Sequence, residues 1–312
     1  MKRAILFSVA ALLLLYLVRE LEYAGLRRNR AGEFSKLREA YLEPHPCDLL
    51  IIGSSRAECQ FYSPIIDSAT GLRTFNIGMT GATMPFIRTS LEAYLENSPP
   101  PKYVILNLDL HSFKDNPDTV YKFPRYFAYL SNEKLRKGLE ETDPRFYWFR
   151  KLAFYSMPYY GTKYLDASLR GWLDKPGKYD STYSSGFAPS ERNPALGNLD
   201  TLTIAPYVSD PQPYVKDNLD RIVSICREKN IRLIIVLSPL FHRWEESVIN
   251  YPALCEQFRN YARSKNAGFL DLGLDPVRND QSLYSDPAHL SLEGARLFSS
   301  HFSDTLAQYI RP

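Results

Sequence analysis

The 312-residue sequence lacks most of the local signatures that announce a catalytic chemistry. Its four cysteines, Cys47, Cys59, Cys226 and Cys255, form no C-x-x-C pair and no other metal-ligand spacing. No metal site is expected from them, and no disulfide is assigned, although an even number permits one. There is no G-x-S-x-G elbow, no H-E-x-x-H and no G-x-x-x-x-G-K-[ST], which sets aside the α/β-hydrolase elbow, the zincins and the P-loop nucleotidases. A net charge of +3 is too small to indicate nucleic acid as a partner. No region repeats at a fixed period and none is of low complexity, so solenoid and disordered classes are also excluded.

What is present is ordinary globular material, 45% hydrophobic and 23% charged, with room for one main core and a large insertion. The amino terminus is the exception. Ala4 to Val18 is an uncharged run of 15 residues preceded by Lys2 and Arg3. That is short for a spanning helix, which needs about 20 residues, but Lys2, Arg3 and Arg19 can snorkel and lengthen it. A cleavable signal peptide is the competing reading. It would want small residues after the run, where the sequence has Tyr16-Leu17-Val18-Arg19-Glu20. An uncleaved signal anchor over residues 1–20 is therefore expected. Basic residues stand on both sides of the run, so orientation stays open.

Residues 21–46 are charged, helix-compatible and closed by Pro44 and Pro46, as in a stalk. An α/β pattern follows. Apolar strands are expected over 48–53, 72–77 and 103–110, with a helix over 84–96. Strand–helix alternation at these intervals indicates βαβ units and a parallel sheet. The pattern breaks over 112–212, which has no strong strand, several helix-like runs (131–141, 144–156 and 159–173) and 20 of the 42 aromatic residues. This reads as a helical subdomain with an aromatic core, one side of which could serve as a lid or a sugar-stacking surface. The α/β pattern then resumes with a helix over 214–229, strands over 231–237 and 268–272, and helices over 252–265 and 291–309. The expected fold is a three-layer, flavodoxin-like sandwich with a five-stranded parallel sheet. Its core comprises residues 47–111 and 213–312, and it carries the 112–212 insertion and an N-terminal transmembrane helix.

Two stretches carry the chemistry. Asp48-Leu49-Leu50-Ile51-Ile52-Gly53-Ser54-Ser55 is a doubly buried strand that ends in a glycine turn and two serines. It places the serines at the carboxyl edge of the sheet, where open α/β sheets bind ligands. Asp286-Pro287-Ala288-His289 lies before the last helix. An aspartate and a histidine three residues apart can bond each other, fixing the imidazole tautomer. A serine needs such a base to become a nucleophile. Ser55, His289 and Asp286 thus form a candidate triad. Ser54 also follows the strand and is the competing nucleophile, and a helix N-cap is the alternative role for Ser55.

The order of these blocks resembles the SGNH (GDSL-type) hydrolase superfamily. Gly53-Ser54-Ser55 matches its G-D-S block, with Ser54 at the aspartate position. Asn76-Ile77-Gly78-Met79-Thr80-Gly81 matches its second, glycine-containing turn, and Asp286 to His289 its D-x-x-H. The resemblance covers the α/β core and not the insertion. It implies Ser55 as nucleophile, His289 as base, Asp286 as orienter, and the backbone N–H groups of Ser55 and Gly81 as oxyanion donors. The family's third block, G-x-N-D, is replaced by Asn107-Leu108-Asp109-Leu110-His111. Alternation puts Asn107, Asp109 and His111 on one face; His111 is the first substitute donor and Asn107 the second. This departure is similar to membrane-anchored members that accompany polysaccharide acylation. The resemblance therefore implies a membrane-anchored ester hydrolase or O-acyl(acetyl)transferase with its catalytic domain periplasmic or extracellular. It would act on an acylated cell-envelope glycan or a small ester without metal or cofactor, with a membrane-bound acyltransferase as a candidate partner. A catalytically degenerate binding or scaffold subunit of such a complex is the alternative.

Overall fold

A continuous apolar strand can be buried on both faces only inside a sheet that helices cover on either side, and three segments of this chain, 49–53, 103–107 and 232–237, are buried in that way over nearly all their length. The computed structural model describes residues 1–109, 113, 120–175, 184–191 and 197–310. The chain begins with α1 (Lys2–Arg28) and α2 (Gly32–Tyr41). It continues through β1 (Leu49–Gly53), α3 (Ser55–Gln60), α4 (Ser63–Thr70), β2 (Thr74–Asn76), α5 (Met84–Asn97) and β3 (Tyr103–Asn107). The next helices are α6 (Glu133–Thr142), α7 (Arg145–Lys151), α8 (Ala153–Ser156) and α9 (Thr162–Leu173). The remainder is α10 (Pro213–Glu228), β4 (Arg232–Leu237), α11 (His242–Glu246), α12 (Tyr251–Ser264), β5 (Gly268–Asp271), β6 (Tyr284–Asp286), β7 (His289–Leu290) and α13 (Leu292–Ile310).

The main sheet is parallel with strand order β2-β1-β3-β4-β5, the flavodoxin-like order. Its two faces have separate cores. Leu49, Ile51, Ile105, Ile234 and Val236 pack with Phe298, Phe302 and Leu306 of α13. Leu50, Ile52, Val104, Leu106 and Ile235 pack with Ile87 and Leu91 of α5, Leu219 and Ile222 of α10, and Phe258 of α12. The architecture is thus the three-layer sandwich expected from the sequence. β2 is shorter than the expected 72–77; beyond it the Asn76 side chain accepts the Gly78 N–H (2.9 Å), while the N–H groups of Ile77 and Met79 still donate to the Ile51 and Gly53 carbonyls of β1 (2.9 and 3.1 Å).

The amino-terminal segment differs from a free stalk. α1 continues unbroken through Arg28 and buries Tyr23 and Leu26, and α2 buries Phe34, Leu37 and Tyr41 against the domain. These apolar residues are spaced three or four apart among the charges, so one stripe can dock, and Lys36 of α2 is buried with it. Among the described residues α1 is the one helix long and apolar enough to cross a membrane.

Helices α6–α9 gather around stacked rings. Phe123 lies 5.3 Å from Phe149 at 13°, and Phe127 and Tyr155 flank Phe149 at 4.7 and 5.1 Å. α9 crosses α1 backbone to backbone. Asn29 Nδ2 donates to the Ala167 carbonyl (2.7 Å), Ser168 Oγ donates to the Glu22 carbonyl (3.0 Å), and a Cβ on Gly171 would stand 1.9 Å from the Gly25 carbonyl oxygen. Gly171→Leu should therefore force the two helices apart. The midpoint of thermal unfolding in detergent should fall by several degrees, in keeping with the roughly 1–3 kcal/mol that overpacking costs. An unchanged midpoint would show that the crossing contributes nothing to stability.

Candidate active site

β1 ends at Gly53, whose φ of +152° and surroundings admit no side chain: a Cβ would lie 2.6 Å from that of Ala57 and 2.9 Å from the Asn107 carbonyl oxygen. The turn delivers Ser54 as the N-cap and Ser55 as the first residue of α3. The neighbours of Ser55 are pinned to the ends of adjacent strands. Buried Ser54 Oγ donates to Asp109 Oδ2 (2.7 Å), and Arg56 reaches Asp109 Oδ1 (3.5 Å) and the Ser238 carbonyl beyond β4. Ser54 is thereby committed to structure, and Ser55 is left to face the cleft.

Asp286 and His289 close a two-stranded antiparallel hairpin. Asp286 Oδ1 accepts the backbone N–H of Ala288 (2.8 Å) and of His289 (3.0 Å), while Oδ2 lies 2.7 Å from His289 Nδ1. His289 Nε2 lies 2.8 Å from Ser55 Oγ. With the proton on Nδ1, where it meets the carboxylate, Nε2 is free to accept from the serine hydroxyl. Gln60 holds the hairpin in place, its Nε2 donating to the carbonyls of Ala288 and Pro239 (3.2 Å each). Burial works to raise the Asp286 carboxyl, but its hydrogen bonds and the His289 charge more than offset this and keep it below its ordinary value.

Beside the serine runs the turn from Gly78 to Gly81. Gly81 has φ +73°, and a Cβ there would meet the Tyr121 ring at 2.5 Å. The turn is held by a buried ion pair. Lys36 Nζ donates to Glu58 Oε1 (2.8 Å) and to the Gly78 carbonyl (2.7 Å), and Glu58 Oε2 accepts the Thr80 N–H (2.7 Å) and its hydroxyl. Arg125 donates to the Thr80 carbonyl (3.0 Å) and lies 3.7 Å from Glu33. Burial would raise the Glu58 carboxyl, yet the charges of Lys36 and Arg125 and the hydrogen bonds from Lys36 and Thr80 hold it below its ordinary value.

These groups open on a cleft of about 620 Å³ lined by Ser55, His289, Asp286, Glu58 and Thr80 on the sheet side. Glu33 and Phe34 of α2, Arg125, and Lys163, Asp166 and Arg170 of α9 form the facing wall. Among the described residues the insertion lends charged side chains and no aromatic ring to this cleft, so the expected sugar-stacking surface is not formed there; its rings pack on one another instead. Cys59 also lines the cleft, but burial pushes its thiol well above the ordinary range. All four cysteines are buried and unpaired. Among the described residues no three His, Cys, Asp or Glu are grouped to hold a metal ion.

The structure brings Ser55, His289 and Asp286 together across the fold and sets the turn that ends in Gly81 beside them. His111 lies outside the described residues. Asn107, the second candidate donor, is fully buried opposite Gly53, does not line the cleft, and has neither side-chain polar atom bonded among the described residues. The Lys36–Glu58 pair, Arg125 and the charged edge of α9 were not found from sequence. Only Glu58, one turn after the serine, gave a local hint.

The sequence matches no protein-family model and no curated protein. Solved structures similar to the chain include a GDSL-like lipase from Bacteroides thetaiotaomicron, at 12% identity with a TM-score of 0.42, covering 92% of this chain and 100% of the lipase. An esterase of the SGNH-hydrolase family is similar at 14% identity with a TM-score of 0.37, covering 86% of this chain and 98% of the esterase.

Proposed function

We propose that this protein is a serine-dependent acyl ester hydrolase or O-acyltransferase of SGNH type, anchored by α1 and working outside the cytoplasm on an acylated envelope glycan or a related ester. The observation that carries the reading is the unbroken chain from Ser55 Oγ to His289 Nε2 (2.8 Å) and from His289 Nδ1 to Asp286 (2.7 Å) at the carboxyl edge of the sheet.

The chemistry follows from these positions. Ser55 Oγ attacks the acyl carbonyl as its proton passes to His289 Nε2, and Asp286 stabilises the imidazolium. The carbonyl electron pair becomes an oxyanion held by backbone N–H groups. That of Ser55 has no intrahelical partner because it opens α3, and that of Gly81 is the second donor; His111 is the third candidate. Collapse breaks the ester C–O bond, and the leaving alcohol takes the proton from His289. Water or a sugar hydroxyl then gives its proton to His289, attacks the acyl-enzyme and releases Ser55, which recovers its proton. A glycan acceptor is supported by the size of the cleft and its charged walls, and a membrane-bound acyltransferase remains the candidate source of acyl groups.

Two outcomes are expected. Ser55→Ala should abolish labelling by a fluorophosphonate probe and hydrolysis of a short acyl ester, whereas Ser54→Ala should retain detectable labelling. Equal labelling of wild type and Ser55→Ala would sink the assignment.

Lys36→Met removes the direct counter-ion of the buried Glu58 carboxylate, leaving it the Thr80 hydrogen bonds and the Arg125 charge, and should cost up to about 3–5 kcal/mol of stability. It should also lower kcat more than it raises KM, because the turn carrying the Gly81 N–H loses its tether. Glu58 has its folded pKa below the ordinary 4.5, so its contribution is complete above that value and is lost as pH falls through the folded one. Acid unfolding of Lys36→Met/Glu58→Gln should accordingly lack the steepest part of the wild-type loss. Identical acid curves would contradict the ionised pair.

A further inference from the structure

α9 presents three faces, and two are already assigned. Tyr164, Ala167, Ser168 and Gly171 are buried, the last three against α1, and Lys163, Asp166 and Arg170 line the cleft. The third face, Leu165, Leu169, Trp172 and Leu173, has the i, i+4, i+7, i+8 spacing of a core-facing stripe. Yet its members are 53%, 52%, 42% and 62% exposed. Surface patches of this kind mark interaction sites.

We propose that this face of α9 is a seat for phospholipid, lying in the interfacial layer of the bilayer that α1 crosses; the inference rests on the reading of α1 as a membrane anchor. The position of Trp172 carries it. The indole Nε1 donates to the Leu21 carbonyl (3.0 Å), and the Arg28 guanidinium stacks 3.9 Å over the ring. Trp172 therefore stands level with the point on α1 where the uncharged run has just ended, the depth at which tryptophan concentrates in membrane proteins. Leu21 beside it is itself exposed, and so is Phe154 on α8, which also packs on α1. Exposed apolar side chains thus continue from α1 onto the insertion, with the Arg28 guanidinium lying over the Trp172 ring among them.

The length of the span agrees. Fifteen uncharged residues rise about 22 Å as a helix, against about 30 Å of hydrocarbon in a typical bilayer. Apolar side chains of α9 set around the end of α1 supply the missing depth, which a short span must otherwise recover by thinning the bilayer. A consequence follows for the catalytic site. The neighbouring face of α9 is a wall of the cleft, so the cleft opens within about one helix diameter, roughly 10 Å, of the lipid surface. The ester would be met at that surface.

The test uses the full-length protein in phosphatidylcholine vesicles brominated either near the headgroup end or deep in the acyl chains. W148F/W244F retains Trp172 alone, and W148F/W172F retains Trp244, which sits on α11. Trp172 emission should fall about twofold or more with the shallow bromines and less with the deep ones, as interfacial tryptophan requires, while Trp244 stays unquenched. Replacing Leu165, Leu169 and Leu173 together by Asp in the Trp172-only protein should remove at least half of that quenching. Quenching of Trp172 no greater than that of Trp244, in protein that still floats with vesicles after an alkaline wash, would overturn the seat and leave the anchor standing. Protein that washes off would overturn the anchor reading and the seat with it. An unquenched Trp172 together with cross-linking between copies through Leu169→Cys would assign the face to a second molecule and also overturn the proposal.

Discussion

The Lys36 ammonium and the Glu58 carboxylate are buried 2.8 Å apart, and three parts of the molecule meet on them. Lys36 belongs to α2, Glu58 to the helix that opens with Ser55, and the ligands that complete the pair, the Gly78 carbonyl and the Thr80 N–H, belong to the turn beside the nucleophile. Two charges removed from water are tolerated only when each finds both its counter-ion and further hydrogen bonds, and here each does. The desolvation cost of the pair is thus what makes its geometry strict. Any displacement of α2, α3 or the 78–81 turn leaves a buried charge without a partner.

The same logic recurs one layer further in. Gly53 brings β1 so close to the Asn107 backbone that no side chain fits. Asp109 then collects Ser54 from one side and Arg56 from the other, and Arg56 reaches on to Ser238. Ser55 sits between two anchored neighbours, so its hydroxyl has little freedom beyond its own rotamer. On the other side, Gln60 and the Asp286 carboxylate freeze the hairpin that carries His289. Pre-positioning of this kind is what allows a weak nucleophile and a neutral imidazole to act together.

The insertion forms part of the cleft wall. Its rings pack on one another, and what it offers the cleft is charge, through Arg125 and the edge of α9. α9 links the three environments of the molecule, since it touches α1 through small residues, the cleft through charged ones, and carries its leucines and Trp172 outward. The close approach at Gly25 and Gly171 makes the end of α1 a structural part of the domain. α1 and the cleft are thus joined through packed helices.

The sequence by itself determined the sheet and the local half of the site. A doubly buried parallel strand must be a continuous apolar run, so Leu49–Gly53, Tyr103–Asn107 and Arg232–Leu237 were legible from composition alone. Asp286 and His289 were legible as a pair because three residues suffice to bring their side chains together. The link from His289 to Ser55 spans 234 positions; it was reached through the order of blocks shared with SGNH hydrolases, and only the closed fold brought the atoms within bonding distance. Lys36 could not be found, since a lysine in a charged, helix-compatible stretch reads as solvent-facing until the docking side of α2 is known. The leucines of α9 mislead in the opposite sense, because their spacing reads as core and the fold turns them outward. Periodicity reports that a residue shares a face with its neighbours; what that face meets is decided by contacts between segments distant in the chain, and those exist only once the tertiary structure has formed.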